Sequence, residues 1–389
     1  MANTLDALMP KILARGLLAL RGFTVLPRLV NTDYSNEARQ KGNTIDVPVP
    51  GAVTAVDVTP GATPPANTDS SWSTVQVPLD KWKEAPFYLT DKEEGQILTS
   101  EFLPLQAGEA VKSLGQAVNA DIFGCYKGIY GYVGTAGTTP FATSGGVGDI
   151  SAATSARKVL NAQFAPLANR SLVLDVDAGA NALGLPQFAN AAAAADNKVI
   201  TEGVIGRKLG FDWFEDQQTP THAAGTITTG LAAKAATAQA VGDTTIVCTT
   251  AASTGACALK EGDIITFAGD SQTYVLTADA AQASAAADVT LNIQPPLKVA
   301  LAGGEAVTVK ASHVVNLAFN KYAIALAVRP LADTMGNELG AKIMSATDPI
   351  TGLTLRLEVT RQHKQTRYSY DILYGVKLVR RELACRVAG

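Results

Sequence analysis

The chain has 389 residues, of which 47% are hydrophobic and 17% charged, with a formal net charge of −3. That length admits one large domain or two or three smaller ones, and so small a charge excludes a protein that holds polyanions by bulk charge. Low charge with 34 glycines and many alanines and threonines suits a protein that hides surface in assemblies.

Residues 1–30 set Leu5, Leu8, Ile12, Leu17, Leu18 and Leu20 among Lys11, Arg15 and Arg21. This predicts an amphipathic helical arm ending near Gly22, which docks on a partner or on its own core. Through residue 43 the arm carries six Lys or Arg against three acids. Asp6, Pro10, Lys11 and Arg15 interrupt any signal-peptide core, and no apolar run is long enough to cross a membrane as a helix. A soluble protein kept in a reducing cytoplasm is expected. The four cysteines, Cys125, Cys248, Cys257 and Cys385, form no CxxC. Cys248 and Cys257 are spaced to face each other across a hairpin, but reduced thiols acting as small hydrophobes are the preferred reading.

Residues 44–90 predict a long two-stranded hairpin. Ile45, Val47 and Val49 alternate on one side and Val75, Val77 and Leu79 on the other, around the turn-rich TPGATPPANTDSS. Pro48, Pro50, Pro78 and Pro86 block extension into a regular sheet. An isolated hairpin is barely stable in water, so this one must lie over its own domain or on a neighbouring subunit.

Thr90-Asp91-Lys92-Glu93 is a capping-box pattern at the start of a short helix reaching about Ser100. A second, long helix is expected from Pro104, in whose first turn a missing N–H costs nothing. Val111, Leu114, Val118, Ile122, Tyr126 and Ile129 recur every three or four residues and make one apolar stripe. Glu109, Lys112, Gln116, Asn119 and Asp121 fall off it, and Ala110, Ala117, Ala120 and Gly124 leave room for another element. Such a helix would be roughly 40 Å long.

Beyond a Gly- and Thr-rich loop, residues 151–165 predict a helix and SLVLDV a buried strand. An alanine-rich helix is expected over Leu183–Ala195, and GFDWF reads as a strand after the glycines at 203, 206 and 210. Composition then shifts. Residues 226–312 hold no Arg, four Lys and seven acids, and short strands alternate with turns, which predicts a small β-barrel or sandwich. HVVNLAFNKYAIALAVRPL resumes the main domain. Three strands close the chain, with about +5 net charge from Gly352 onward, and an antiparallel sheet against the long helix would bury its stripe.

Catalytic motifs are missing. Gly145–Gly148 lacks the Lys-Ser/Thr of a phosphate loop, no GxGxxG follows a strand, and neither HExxH nor GxSxG occurs. His222, His313 and His363 are far apart in sequence. Asp175 and Asp177 follow a strand in a DxD arrangement that would suit Mg²⁺, but turn-capping aspartates at a strand end are the preferred reading. No cofactor or metal is expected.

Taken in order, the amphipathic arm, Pro-rich hairpin, long helix, closing strands and final YGVKLVRRELACR resemble the major capsid proteins of tailed phages. That family has the α+β Hong Kong 97-type fold. By this resemblance residues 1–43 are the N-arm, 44–90 the E-loop hairpin, and 91–150 the P-domain spine helix and its connection. Residues 151–225 and 313–351 make up the A-domain, with EGVIGRKLGFDWFEDQQTPTHAAG as its most similar segment. Residues 352–389 supply the P-domain strands. EGDIITFAG, YVLTADA, DVTLNIQPPL and GGEAVTV are similar to the inserted β-barrel of P-22-type coat proteins, which assigns 226–312 to a small all-β insertion.

The resemblance implies a virion shell protein without enzymatic activity, assembled in the host bacterial cytoplasm into hexamers and pentamers. It implies a scaffolding protein and a portal as partners, decoration proteins in some relatives, and non-specific contact with packaged double-stranded DNA, with no membrane. Lys81, Trp82, Lys83, Glu84 and Phe87 of the hairpin, with Arg15 and Arg21 of the arm, are the implied subunit-interface residues. Lys81 and Lys83 lie in no recognisable crosslinking motif. The competing readings are a bacterial surface or adhesin-type protein and a hydrolase with an added β domain.

Overall fold

The structure is a computed structural model that describes residues 10, 12–18, 20, 24–34, 44–51, 53, 55–58, 60–61, 72–94, 99–144, 147–190, 198–226, 230–235, 237–250, 257–282, 287–331 and 341–389. The chain forms two compact units. One comprises 1–19, 32–114 and 325–379, and the other 20–31, 115–324 and 380–389.

The first unit is built on a five-stranded sheet. Its spine is the strand Gln365–Leu378, which pairs antiparallel with Thr354–Gln362 on one side and with Lys81–Thr90 on the other. Lys342–Thr347 extends the sheet beyond Thr354–Gln362, and Ile324–Arg329 also pairs with the spine. The expected hairpin divides at Leu79–Asp80. Thr44–Pro50 pairs with Trp72–Pro78, whereas Lys81–Thr90 leaves the hairpin for the sheet. The divide falls where Pro78, which has no N–H to give a ladder, meets the spine. A Cβ on Gly375 would lie 2.1 Å from the Pro78 carbonyl oxygen, so only glycine lets the two backbones come this close. Ile45, Val47, Val77 and Leu79 at the hairpin root pack on Ala325 and Ala327. The hairpin is therefore anchored on its own unit.

The capping box forms as expected. The Glu93 carboxylate accepts from the Thr90 N–H at 2.9 Å, and the Glu93 N–H reaches back to Thr90 Oγ1 at 3.4 Å. The long helix spans Thr99–Phe123, about 37 Å at 1.5 Å per residue. It runs through Pro104 rather than starting there. A proline this near the amino end forfeits one backbone bond, and the buried stripe downstream holds the helix. Val111, Leu114, Val118 and Ile122 are buried. Tyr126 and Ile129 are buried too, but beyond the helix, in and just after the 3₁₀ turn Gly124–Gly128. The amphipathic arm docks inward. Ile12 and Leu13 are buried, and a Cβ on Gly16 would meet Val111 Cγ2 at 3.0 Å. Farther along the helix, a Cβ on Gly115 would meet Thr24 at 2.9 Å and Leu20 at 3.0 Å, whereas one on Gly124 would meet nothing within 4 Å. Asn119 is also buried. Its side chain accepts from the Leu26 N–H at 3.1 Å and donates to Asp216 at 2.7 Å, a buried polar node off the apolar stripe.

The second unit holds a seven-stranded sheet ordered Gly131–Gly134, Ala384–Ala388, His313–Asn320, Arg170–Leu174, Phe211–Glu215 and Arg207–Lys208, with Thr221–His222 also paired to His313–Asn320. The closing strands therefore do not form one sheet. Ala384–Ala388 joins the second unit while the two strands before it build the first. The helix Ser151–Ala162 buries Ala153, Ala156 and Leu160. Among the described residues the predicted helix at Leu183–Ala195 is present only as the short turn Pro186–Ala189, and a helix it did not foresee, Val176–Leu183, precedes it, capped by Asp175, which accepts from Asp177 and Ala178 N–H groups at 3.3 and 3.4 Å. Residues 191–195 of that prediction lie outside the described residues. Between Thr221–His222 and His313–Asn320 a six-stranded barrel closes in the order Leu231–Ala233, Thr245–Thr250, Asp288–Gln294, Tyr274–Leu276, Ile264–Phe267, Ala306–Val309. Ile246, Leu291, Ile293, Phe267 and Tyr274 fill it. Closure leaves the barrel no free edge to pair with other chains.

Gly375→Ala should lower the stability of the first unit by about 1–3 kcal/mol, because the new methyl must displace backbone; thermal unfolding of the variant measures it.

Candidate assembly surfaces

The outer row of Lys81–Thr90 is the most aromatic exposed face of the first unit. Alternation turns Trp82, Glu84, Pro86 and Tyr88 outward and Phe87 and Leu89 inward. Trp82 is 64% exposed, yet its Nε1–H donates to Asp371 at 3.1 Å. The same carboxylate receives Arg356 through Nε at 2.9 Å and Nη2 at 2.5 Å, a bidentate pair that fixes its geometry. Glu84 accepts from Arg367 and Ser369, and the Arg367 guanidinium lies 5.9 Å from the Tyr88 ring centroid. These ties hold the aromatic side chains upright instead of letting them collapse onto the sheet.

The expected interface residues are thus divided by the pleat. Trp82 and Glu84 face out, and Lys81 and Lys83 are half-buried on the inner row. Phe87 is a correction: it is buried and stacks on Tyr368, with centroids 5.1 Å apart, so it serves its own sheet. Arg15 is exposed on the docked arm, and Arg21 lies outside the described residues. Sequence reasoning missed the apolar exposure of the hairpin, where Val53, Val56, Val58 and Trp72 all face solvent. The signal was present in VTAVDV, whose valines have no partner row of equal length.

In the second unit a buried polar junction ties the barrel to the sheet. Asp263, at the turn leading into the barrel strand Ile264–Phe267, has no exposed surface. Its carboxylate accepts from His222 Nε2 at 2.8 Å, from the Lys260 N–H at 2.8 Å and from the Gly225 N–H at 3.1 Å. With the His222 proton on Nε2, Nδ1 accepts from the Tyr126 hydroxyl at 3.2 Å. Arg386, also fully buried, donates to the Gly262 carbonyl at 2.8 Å and lies 5.0 Å from the Tyr126 ring centroid. His222 and His313, 91 positions apart by number, are paired residues of adjoining strands with ring centroids 5.4 Å apart. No spacing in the sequence could bring them together.

Among the described residues no group of three or more His, Cys, Asp or Glu is placed to hold a metal ion. Asp175 caps a helix, as the preferred reading of the DxD had it. Cys248 and Cys385 are free and buried, and burial pushes both thiols up to about 12, so neither ionises near neutrality. Cys248 lies opposite Ala233 and Val289 in the barrel, and Cys257 opposite Gln282 in a separate strand pair. Among the described residues no helix is long and apolar enough to cross a membrane.

His313 gives the junction a pH dependence. Burial, opposed by the Nδ1–H bond to the Ala311 carbonyl, holds it at about 4, below its ordinary 6.5. A lowered folded value means the neutral ring is the stable one. Its contribution is complete above pH 6.5 and is lost as the pH falls toward 4, at up to about 1.4 kcal/mol per unit. His313→Gln should flatten the melting temperature over that range, which thermal scans at stepped pH would read.

No family model and no curated protein matches the chain. Solved structures do. A chain of Mycobacterium phage Che8 is 14% identical, with 93% of this chain and 90% of that chain covered at a TM-score of 0.50. A chain from the capsid of the cyanophage P-SCSP1u is 12% identical, with 94% and 88% covered at 0.50. Over more than nine-tenths of its length, this chain has the fold of those phage proteins.

Proposed function

We propose that the protein is the major capsid protein of a tailed bacteriophage, a structural subunit that self-assembles into an icosahedral shell around double-stranded DNA. The observation that carries this reading is the shared fold, end to end, with a chain of the cyanophage P-SCSP1u capsid. The exposed hairpin valines and the upright Trp82 and Tyr88 support it, since apolar area of this kind is costly to leave in water and becomes useful when copies cover it.

In this reading the hairpin is the E-loop, rooted on its own sheet and reaching across a neighbour in hexamers and pentamers. The long helix and five-stranded sheet are the P-domain, the seven-stranded sheet the A-domain, and the barrel an inserted domain that steadies it. Trp82, Glu84, Lys81, Lys83, Arg15 and Arg21 are the subunit-contact residues. Many weak contacts, multiplied over a closed shell, give stability through effective concentration. A scaffolding protein and a portal are the expected assembly partners, decoration proteins remain optional, and the virion is the site of action.

Electron microscopy of the purified protein, expressed with and without its neighbouring genes, tests the reading. Closed shells, or spirals and tubes of hexameric texture, are expected, and a strict monomer under every condition would overturn it. Trp82→Ala should leave the monomer's melting within about 1 kcal/mol, the worth of one hydrogen bond, while cutting the assembled fraction several-fold. A variant that fails to fold would instead assign Trp82 to the subunit's own core.

A further inference from the structure

The seven-stranded sheet carries an apolar knob and an apolar socket at opposite ends of one strand. Arg170–Leu174 is five residues long, about 16 Å at the usual rise. Just before it, the loop 163–169 presents Phe164 at 93% exposure and Leu167 at 63%. Phe164 and Asn169 both hold left-handed backbone, at φ 56° and 55°, a conformation that costs a bulky residue energy.

The loop is not left to itself. Arg170, 1% exposed, donates through Nε to the Pro166 carbonyl at 2.7 Å and through Nη2 to the Ala165 carbonyl at 2.6 Å. Asn320 donates to the Ala168 carbonyl at 2.7 Å, and the Lys321 N–H to the Asn169 carbonyl at 3.0 Å. A buried guanidinium and a buried amide are committed to holding a surface loop in a strained shape with two apolar side chains in water. Nothing in the subunit's own stability calls for that. Preorganisation for a partner does, because it removes the ordering cost at the moment of contact.

At the far end of the same strand lies a pocket of about 320 Å³ lined by Leu174, Leu183, Val204, Ile205, Trp213 and Phe214. A dry cavity of about 150 Å³ holds a benzene ring, so this one admits the Phe164 ring with space beside it. The charges complement each other. Arg157 and Lys158 stand on the helix leading to the knob, and Arg157 donates to the Leu209 carbonyl at 3.4 Å. Glu215 ends one strand at the socket and Asp175 immediately follows the other, with Asp177 and Glu202 close by in the chain.

We propose that Phe164 and Leu167 of one copy seat in the Leu174–Trp213 socket of the next, a head-to-tail contact that closes subunits into a ring. Knob and socket are different patches, so the contact is heterologous and each copy both gives and receives. The inference deepens the shell-forming function and rests on it, naming the second copy as occupant and these residues as the ring contact.

The test uses the full chain. Phe164→Asp removes the knob, and Val204→Arg, at a half-exposed site on the socket, plugs the receptor. Both should keep the wild-type melting temperature while the ring fraction, read by native mass spectrometry, falls at least tenfold. Leu167→Asp is the second knob variant, should Phe164→Asp fail to fold. Mixed together, Phe164→Asp and Val204→Arg subunits retain one competent interface per pair, so heterodimers without rings are expected. Wild-type assembly by Phe164→Asp, or rings from the mixture, would overturn the contact while leaving the shell reading intact. A wild-type protein that never assembles would instead defeat the shell reading.

Discussion

A carboxylate with no access to water needs every lone pair answered, and Asp263 sets that condition for the second unit. A charge buried in this way is tolerable only with a full set of donors. Here they are His222 and the Gly225 and Lys260 amides, while Arg386 donates separately to the neighbouring Gly262 carbonyl. Gly225 is where the chain departs for the barrel, Asp263 lies in a barrel turn, and Arg386 is three residues from the chain end. The junction therefore ties three distant stretches of sequence together. Displacing any of them would strand a buried charge, so the barrel is held against the sheet rather than hung on a tether.

The first unit solves a different problem. Its spine strand Gln365–Leu378 has to serve neighbours on both edges and leave a useful outer face. The pleat separates the two tasks. The inner row supplies Tyr368, Tyr370, Ile372 and Tyr374 to the core, while the outer row supplies Arg367, Ser369 and Asp371 as holders for Glu84 and Trp82. An exposed tryptophan with a fixed hydrogen bond is a rigid anchor, which suits repeated recognition better than a freely rotating one. The same economy recurs in the second unit, where Arg170 is buried to hold Phe164 out.

Much of the architecture was legible in the sequence because it rests on local periodicity. The capping box at Thr90, the helical stripe through Ile122, the strand that ends at Leu174 and the short strands of the barrel are all short-range patterns. The stripe repeats at about 3.6 residues and the barrel strands at about 2, and burial of one face follows. Misreadings came where one residue does what its neighbours do not predict. Pro104 sits inside the helix, Asp175 starts a helix early, and Asn119, off the apolar stripe, is a buried node.

The kinds of element, the β-rich stretch after residue 226, the lack of catalytic motifs and the order of parts that resembles a capsid protein were all readable from the residues alone. How those parts are shared out emerged with the three-dimensional fold. It sent Lys81–Thr90 to the sheet and away from its hairpin, put Ala384–Ala388 in a different unit from the strands before it, and buried Phe87 beside an exposed Trp82. The physical reason is that strand pairing and buried-charge satisfaction are long-range. A strand's alternation says which residues share a face, but which face meets water depends on a partner far away in the chain, as Trp82 depends on Asp371, 289 residues on, and His222 on Asp263, 41 residues on.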